Sequence, residues 1–111
     1  MKVAIIGSRN LTVDNFDGYI PLQVTEIVSG GARGIDHCAR EYAMNRGIPL
    51  KEFLPDYQKY GRKAPLLRNL QIIEYADFIL AFWDGKSHGT RFVIEQAKKQ
   101  GKKIRIFRAL Q

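Results

Sequence analysis

Three short stretches of this 111-residue sequence carry the side chains best suited to hold an anion. The first is Ser29-Gly30-Gly31-Ala32-Arg33-Gly34-Ile35-Asp36. Its glycines let the backbone turn sharply and come close to a ligand, and the positive end of a new helix faces the same point. Phosphate is the natural guest; the alternative is that the glycines only make a tight strand-to-helix turn. The second stretch, Gly7-Ser8-Arg9-Asn10, offers a hydroxyl and a guanidinium able to hold phosphate through two hydrogen bonds, or is a bare strand-end turn. The third, Asp84-Gly85-Lys86-Ser87-His88-Gly89-Thr90, repeats the logic of the first, with Thr90 either capping a helix or presenting its hydroxyl to a phosphate.

Read as chemistry, Gly30, Gly31, Gly34, Gly89 and Thr90 would cradle a phosphate while Ser8 and Arg9 neutralise it. Asp36 or Asp84 would take ribose hydroxyls. An acid at position 36 is equally suited to the dipole of a helix first turn, so both roles stay open there.

These loops need elements to position them, and the apolar periodicity supplies them. Lys2 to Gly7 is an almost unbroken apolar run ending in glycine, the pattern of a strand buried on both faces of a parallel sheet. A short helix capped by Asp14 or Asn15 would carry Phe16, Tyr19 and Ile20 inward, with Pro21 near its end. Val24 to Val28 reads as the second strand and Gly34 to Arg46 as the helix after the glycine loop, stopped by Gly47. Ile48 to Leu54 reads as the third strand, closed by Pro55, and Asp56 to Lys63 as a polar loop with two tyrosines. A helix then runs to about Tyr75 on an apolar face of Leu66, Leu67, Leu70, Ile73 and Ala76, with Arg68 and Asn69 off that stripe, leaning towards the strand ends or facing water. Asp77 to Trp83 gives a fourth strand. The helix after the third loop turns Val93, Ile94 and Ala97 inward and ends at Gly101, and Lys103 to Phe107 is a fifth strand.

Composition bounds what such a chain does. With 45% apolar residues the sequence reads as one domain over residues 1–111, able to bury a core without disulfides or metal. The single cysteine, Cys38, excludes an intramolecular disulfide and a CxxC site, and is expected to be a small core residue in a reducing compartment. The first apolar run is too short for a signal peptide or a bilayer span, so a cytoplasmic protein without membrane contact is expected. His37 and His88 are far apart and no carboxylate is spaced with either, so no metal or other cofactor is implied. The net charge of +7 favours polyanions or phosphorylated small molecules as partners. Lys98, Lys99, Lys102, Lys103, Arg105 and Arg108 crowd the end of the chain, where they complement a helix dipole and keep an edge strand soluble.

Loops that follow the strands of a parallel sheet share one edge. With strand order 3-2-1-4-5, the first and fourth strands flank the point where the winding reverses, and the three loops converge on one crevice. The expected fold class is therefore α/β with a five-stranded parallel sheet, and the resemblance described next implies that this is a Rossmann-like three-layer domain.

The ordered set Gly7-Ser8-Arg9, Ser29 to Asp36, Arg68-Asn69, and Phe82-Trp83-Asp84-Gly85 with Ser87 and Gly89-Thr90 resembles the YspA-type branch of the SLOG superfamily. That Rossmann-like group also holds the DNA-processing protein DprA and the LOG cytokinin-activating enzymes. The resemblance spans nearly the whole chain and implies a nucleotide or nucleotide-derived phosphorylated ligand, in a sensor or processing module. The residues it assigns to ligand are Gly7, Ser8, Arg9, Ser29, Gly30, Gly31, Ala32, Gly34, Asp36, Arg68, Asn69, Asp84, Gly85, Ser87, Gly89 and Thr90.

Two relatives within that group imply different activities. LOG-like enzymes cleave a base from a nucleoside monophosphate with a P-G-G-x-G-T-x-x-E loop. Here the glutamate position is Val93, and Glu95 lies about 200° further round the helix at ~100° per residue, pointing away from the loop. An acid or base for such a reaction would have to be Asp36, Asp84 or His88, and no catalytic residue is assigned. DprA-like proteins share the S-G-x-A-x-G-I-D loop and bind single-stranded DNA; by that resemblance Lys59, Tyr60, Arg62, Lys63 and Arg68 would form a basic, stacking surface for single-stranded DNA or RNA. A homo-oligomer is also open, since small sheets of this kind often pair.

Overall fold

Alternation along β1 (Lys2–Gly7) divides the interior in two. Val3 and Ile5 enter one cluster with Phe16, Ile27, Ile35, Ala39, Leu80 and Phe82, whereas Ala4 and Ile6 enter the other with Val28, Ile72, Ile73, Ala81, Val93 and Ile94. A strand that feeds both faces needs helices on both sides, and that is what the chain builds. The computed structural model describes residues 1–108. Its sheet is parallel throughout, in the order β3-β2-β1-β4-β5, with β2 at Glu26–Ser29, β3 at Leu50–Glu52, β4 at Phe78–Trp83 and β5 at Lys103–Arg108.

Helix α1 (Ile35–Arg46) packs through Ile35, Ala39 and Ala43 on the first face and ends at Gly47, whose left-handed backbone lets its N–H donate to Met44 and the Ile48 N–H to Ala43, closing the last turn. Helices α3 (Ala64–Tyr75) and α4 (His88–Lys99) cover the second face. Fully buried Ile5, Ile27 and Ile79 show the scale of what holds the layers together. Truncating any one of them to alanine costs roughly 2–5 kcal/mol.

The expected elements are altered at four places. Residues 14–20 make turns instead of a capped helix: Asn15 accepts the Asp17 N–H at 2.8 Å, and Phe16 accepts from Tyr19 and Ile20, closing a single turn. Phe16 is fully buried all the same, and Tyr19 packs edge-on against Phe82 and Phe107. The polar loop 56–63 is instead helical: the Asp56 carboxylate accepts the Lys59 N–H at 3.1 Å, starting α2 (Tyr57–Tyr60), which continues through a 3-10 turn, Gly61–Lys63, into α3. The second and third strands are shorter than their apolar runs. On α3 the inward stripe is Ala64, Arg68 and Ile72 with Ile73, while Leu66 is 42% exposed; Arg68 faces inward because backbone carbonyls satisfy its guanidinium. Cys38 is half-buried against the first cluster.

Candidate functional site

The switch point falls between β1 and β4, and the chain ties those two strand ends together there. Ser8 donates its N–H to the Phe82 carbonyl at 3.0 Å, and its Oγ accepts the Asp84 N–H at 3.1 Å. Ser8 is consequently buried, and its hydroxyl also faces the Asp84 carboxylate. Beside this stitch opens a crevice of about 430 Å³, large enough for a nucleotide-sized ligand. Gly7, Ser8, Arg9, Ala32, Asp36, Arg68, Asn69, Asp84, Ser87, Gly89 and Thr90 all line it, so residues from four separate segments meet at one edge of the sheet.

The first glycine loop is fixed by close packing. At Gly34 the backbone has φ of +73°, and a Cβ would lie 2.5 Å from the Arg9 carbonyl oxygen, so only glycine fits. At Gly30 a Cβ would sit 2.6 Å from the Arg68 guanidinium, which donates to the Gly30 carbonyl, to the Phe53 carbonyl at 3.4 Å and, through Nε, to Asn69 Oδ1 at 2.9 Å. One buried cation on α3 thus clamps the turn after β2 to the end of β3. Burial lowers its affinity for a proton, opposed by the Asp36 carboxylate nearby.

Asp36 is only 6% exposed. Its Oδ2 accepts the Ala32 N–H at 3.1 Å, but Oδ1 is buried with no hydrogen-bond partner. Burial therefore dominates and raises its pKa to about 6, against the opposing Ala32 hydrogen bond and the charges of Arg68 and Arg9. A buried carboxylate oxygen without a donor is uncommon, and it belongs to a residue that lines the crevice.

The third stretch is organised by its own carboxylate. Asp84 accepts the N–H groups of Lys86 and Ser87 at 2.8 Å each and the Ser87 hydroxyl at 3.0 Å. Those backbone N–H groups, Ser87 first, hold its pKa well below the ordinary carboxylate range. Trp83 donates Nε1–H to the Ser87 carbonyl at 3.0 Å, fixing the residue that precedes α4. The helix begins at His88, with Ser87 rather than Thr90 in the capping position. His88, Gly89 and Thr90 therefore supply the N–H groups of the first turn, which have no acceptor one turn back, and all three residues line the crevice.

Three residues expected at the site stand behind the lining. Ser29 is buried and its Oγ accepts the Gly31 N–H at 3.4 Å, Gly34 supports the Arg9 backbone, and Gly85 lies against the Arg108 guanidinium. Gly30 and Gly31 line a second cavity of about 330 Å³, which shares Arg9, Ala32 and Arg68 with the first. Lys59 and Tyr60 line a separate groove with Leu54, Leu67 and Arg68, and Arg62 and Lys63 are exposed beside it. Pro65 and Ile72, which the sequence reading passed over, also line the crevice, together with Asn10 from the end of the second stretch. Pro65 stands at the start of α3, so position next to a loop was its only signal.

Val93 lines the crevice and is buried, while Glu95 is exposed and bonds Arg91 at 3.0 Å. The position where a LOG-like loop carries glutamate thus presents only methyl groups. No helix among the described residues is long and apolar enough to cross a membrane.

Comparison with known proteins adds two matches. Gene 61 protein of Mycobacterium phage D29 is 38% identical over 81 residues, covering 68% of this chain; the chain spans 65% of that relative's length. No solved structure matches. Residues 1–60, which hold β1, the first glycine loop, α1 and β3, match the family described as "YspA, cpYpsA-related SLOG family". More than half of the chain carries that match, and with the fold it leads to one conclusion: the protein belongs to the YspA-related SLOG family.

Proposed function

We propose that this chain binds a nucleotide or nucleotide-derived phosphorylated ligand in the crevice between the ends of β1 and β4, as a sensor or nucleotide-processing module. The observation that carries the reading is the pairing of an anion-seeking end with a donor-seeking one. The first-turn N–H groups of α4 and the Arg9 guanidinium suit a phosphate, and the unpartnered Asp36 Oδ1 suits a sugar hydroxyl on the same molecule. Asp84 is already saturated by its own loop, which leaves Asp36 as the carboxylate for the sugar. Gly30, Gly31 and Gly34 hold the backbone that presents Asp36, and Ser8, Asn69, Ser87, Gly89 and Thr90 complete the wall.

A ligand that binds only the folded state raises the unfolding midpoint by mass action. Thermal unfolding against nucleoside mono- and diphosphates should therefore show a concentration-dependent rise that survives high salt and is lost in Arg9→Ala. A midpoint unmoved by every phosphorylated nucleotide would refute the reading.

One observation favours a second reading, single-stranded nucleic acid on the α2 surface. Tyr57 and Tyr60 are exposed there beside Lys59, Arg62 and Lys63, and Lys59 stands over the Tyr60 ring at 5.2 Å. Such binding would respond to oligonucleotides alone and would fall steeply with salt.

A further inference from the structure

The crevice is not the whole of the polar depression. A second cavity of about 330 Å³ adjoins it, sharing Arg9, Ala32 and Arg68 and lined also by Gly30, Gly31, Arg33 and Tyr57. The two halves differ in charge. Two carboxylates, Asp36 and Asp84, line the first, whereas the second is lined by three guanidiniums and no carboxylate. Glu52, the acid beneath Gly31, lies 4.0 Å from Arg40 on α1. Among the described residues neither Arg9 nor Arg33 forms an ion pair. Arg9 acts on Asp36 through its charge alone, Arg33 has no ion-pair partner among the described residues, and Arg68 stands between both halves. Asp36 holds the Ala32 N–H at the junction, so a sugar that donates to its free oxygen has one cationic region on either side.

Resting on the nucleotide reading of the crevice, we infer that the second cavity is an anion subsite of the same site, and that the ligand class is one with phosphates on both sides of a ribose. Nucleoside 3′,5′-bisphosphates and short phosphorylated dinucleotides have that layout. The first phosphate meets the α4 first turn, the ribose hydroxyl donates to Asp36 Oδ1, and the second phosphate meets Arg33 and Arg9. Tyr57, 56% exposed at the rim, is placed to cover that second group or a base attached to it. A nucleotide with a single phosphate fills only the first half.

Calorimetric titration of adenosine 5′-monophosphate and adenosine 3′,5′-bisphosphate into the same protein separates the two claims. The bisphosphate is expected to bind at least about tenfold tighter, the scale of one added guanidinium–phosphate pair. Arg33→Gln, which lies outside the first cavity, should erase that gain and leave the monophosphate affinity unchanged. Equal affinities in the unmodified protein, or a gain that persists in Arg33→Gln, would overturn the subsite while leaving the crevice reading intact. Failure of both ligands to bind would overturn the crevice reading itself, and the subsite with it.

Discussion

The two glycine loops that face each other across the crevice solve the same problem by opposite means. The loop before α1 is held from outside: Arg68 clamps the Gly30 carbonyl, the Arg9 backbone fills the place of a Gly34 side chain, and its own carboxylate is left with an unpartnered oxygen. The loop before α4 is held from inside, with Asp84 accepting three hydrogen bonds from its immediate successors. Consequently Asp84 is a structural anion kept ionised by its donors, and Asp36 is a desolvated acid with one buried, unpartnered oxygen at a residue that lines the crevice. Two aspartates in similar sequence settings thus have different work to do, and the difference lies in who supplies the donors.

The sharpest way to break that contrast is at glycine. Gly34→Val meets both a positive φ and the Arg9 carbonyl, and should lower stability by about 3 kcal/mol or more in denaturant unfolding. A variant with an unchanged midpoint would show that external packing does not fix the first loop.

Acidity comes next. Asp36 holds a proton in the folded chain up to about pH 6, whereas an unfolded aspartate has released it by about pH 4. Between those values the folded state binds more protons than the unfolded one, so this group makes stability fall as pH rises from about 4 to about 6, by about 3 kcal/mol in total, and leaves it level above. Asp84 acts with the opposite sign and in a lower window: its folded pKa is depressed, so its contribution is lost only as pH falls below about 4. Asp36→Asn should remove the slope between pH 4 and pH 6 in urea unfolding and leave the acid limb. A slope that survives the substitution would mean that another group carries it.

Asp84→Ala tests the self-held loop. Without its acceptor the Lys86 and Ser87 N–H groups lose their partner, and the start of α4 is no longer fixed. Nucleotide affinity should fall about tenfold, the scale of a hydrogen bond to a charged group, with the fold retained. The smallest effect is expected at Gly89, where an added Cβ meets no atom within 4 Å. Gly89→Ala should raise stability by up to about 1 kcal/mol through helix propensity, the reverse of the Gly34 result.

The sheet was legible in the sequence because fully buried parallel strands are near-continuous apolar runs, and β1 and β4 show it most plainly. The strand order was expected because 3-2-1-4-5 brings the loops after Gly7, Ser29 and Asp84 to one crevice, and that order is the one observed. Hydrophobic periodicity on α3 holds at Leu70, Ile73 and Ala76 but fails at Leu66, which is exposed. The helix instead turns in Arg68, because carbonyls at Gly30 and Phe53, distant in sequence, satisfy a buried cation. Periodicity cannot count donors and acceptors supplied by other segments. The same reason hid Asp36: its place in the first turn of a helix was legible, but its orphan oxygen exists only once Arg9, Arg68 and the Ala32 amide have closed around it. The α2 turn was passed over because a four-residue helix rests on one capping carboxylate, Asp56, inside an otherwise polar string.

The central claim is that the crevice between β1 and β4 holds a phosphorylated nucleotide, and calorimetric titration at low and high salt tests it most directly. The account predicts saturable, one-to-one binding of a nucleoside phosphate that persists at high salt and is lost in Arg9→Ala. Absence of binding by any mononucleotide or dinucleotide, with oligonucleotides binding only at low salt, would contradict it and move the function to the basic surface of α2.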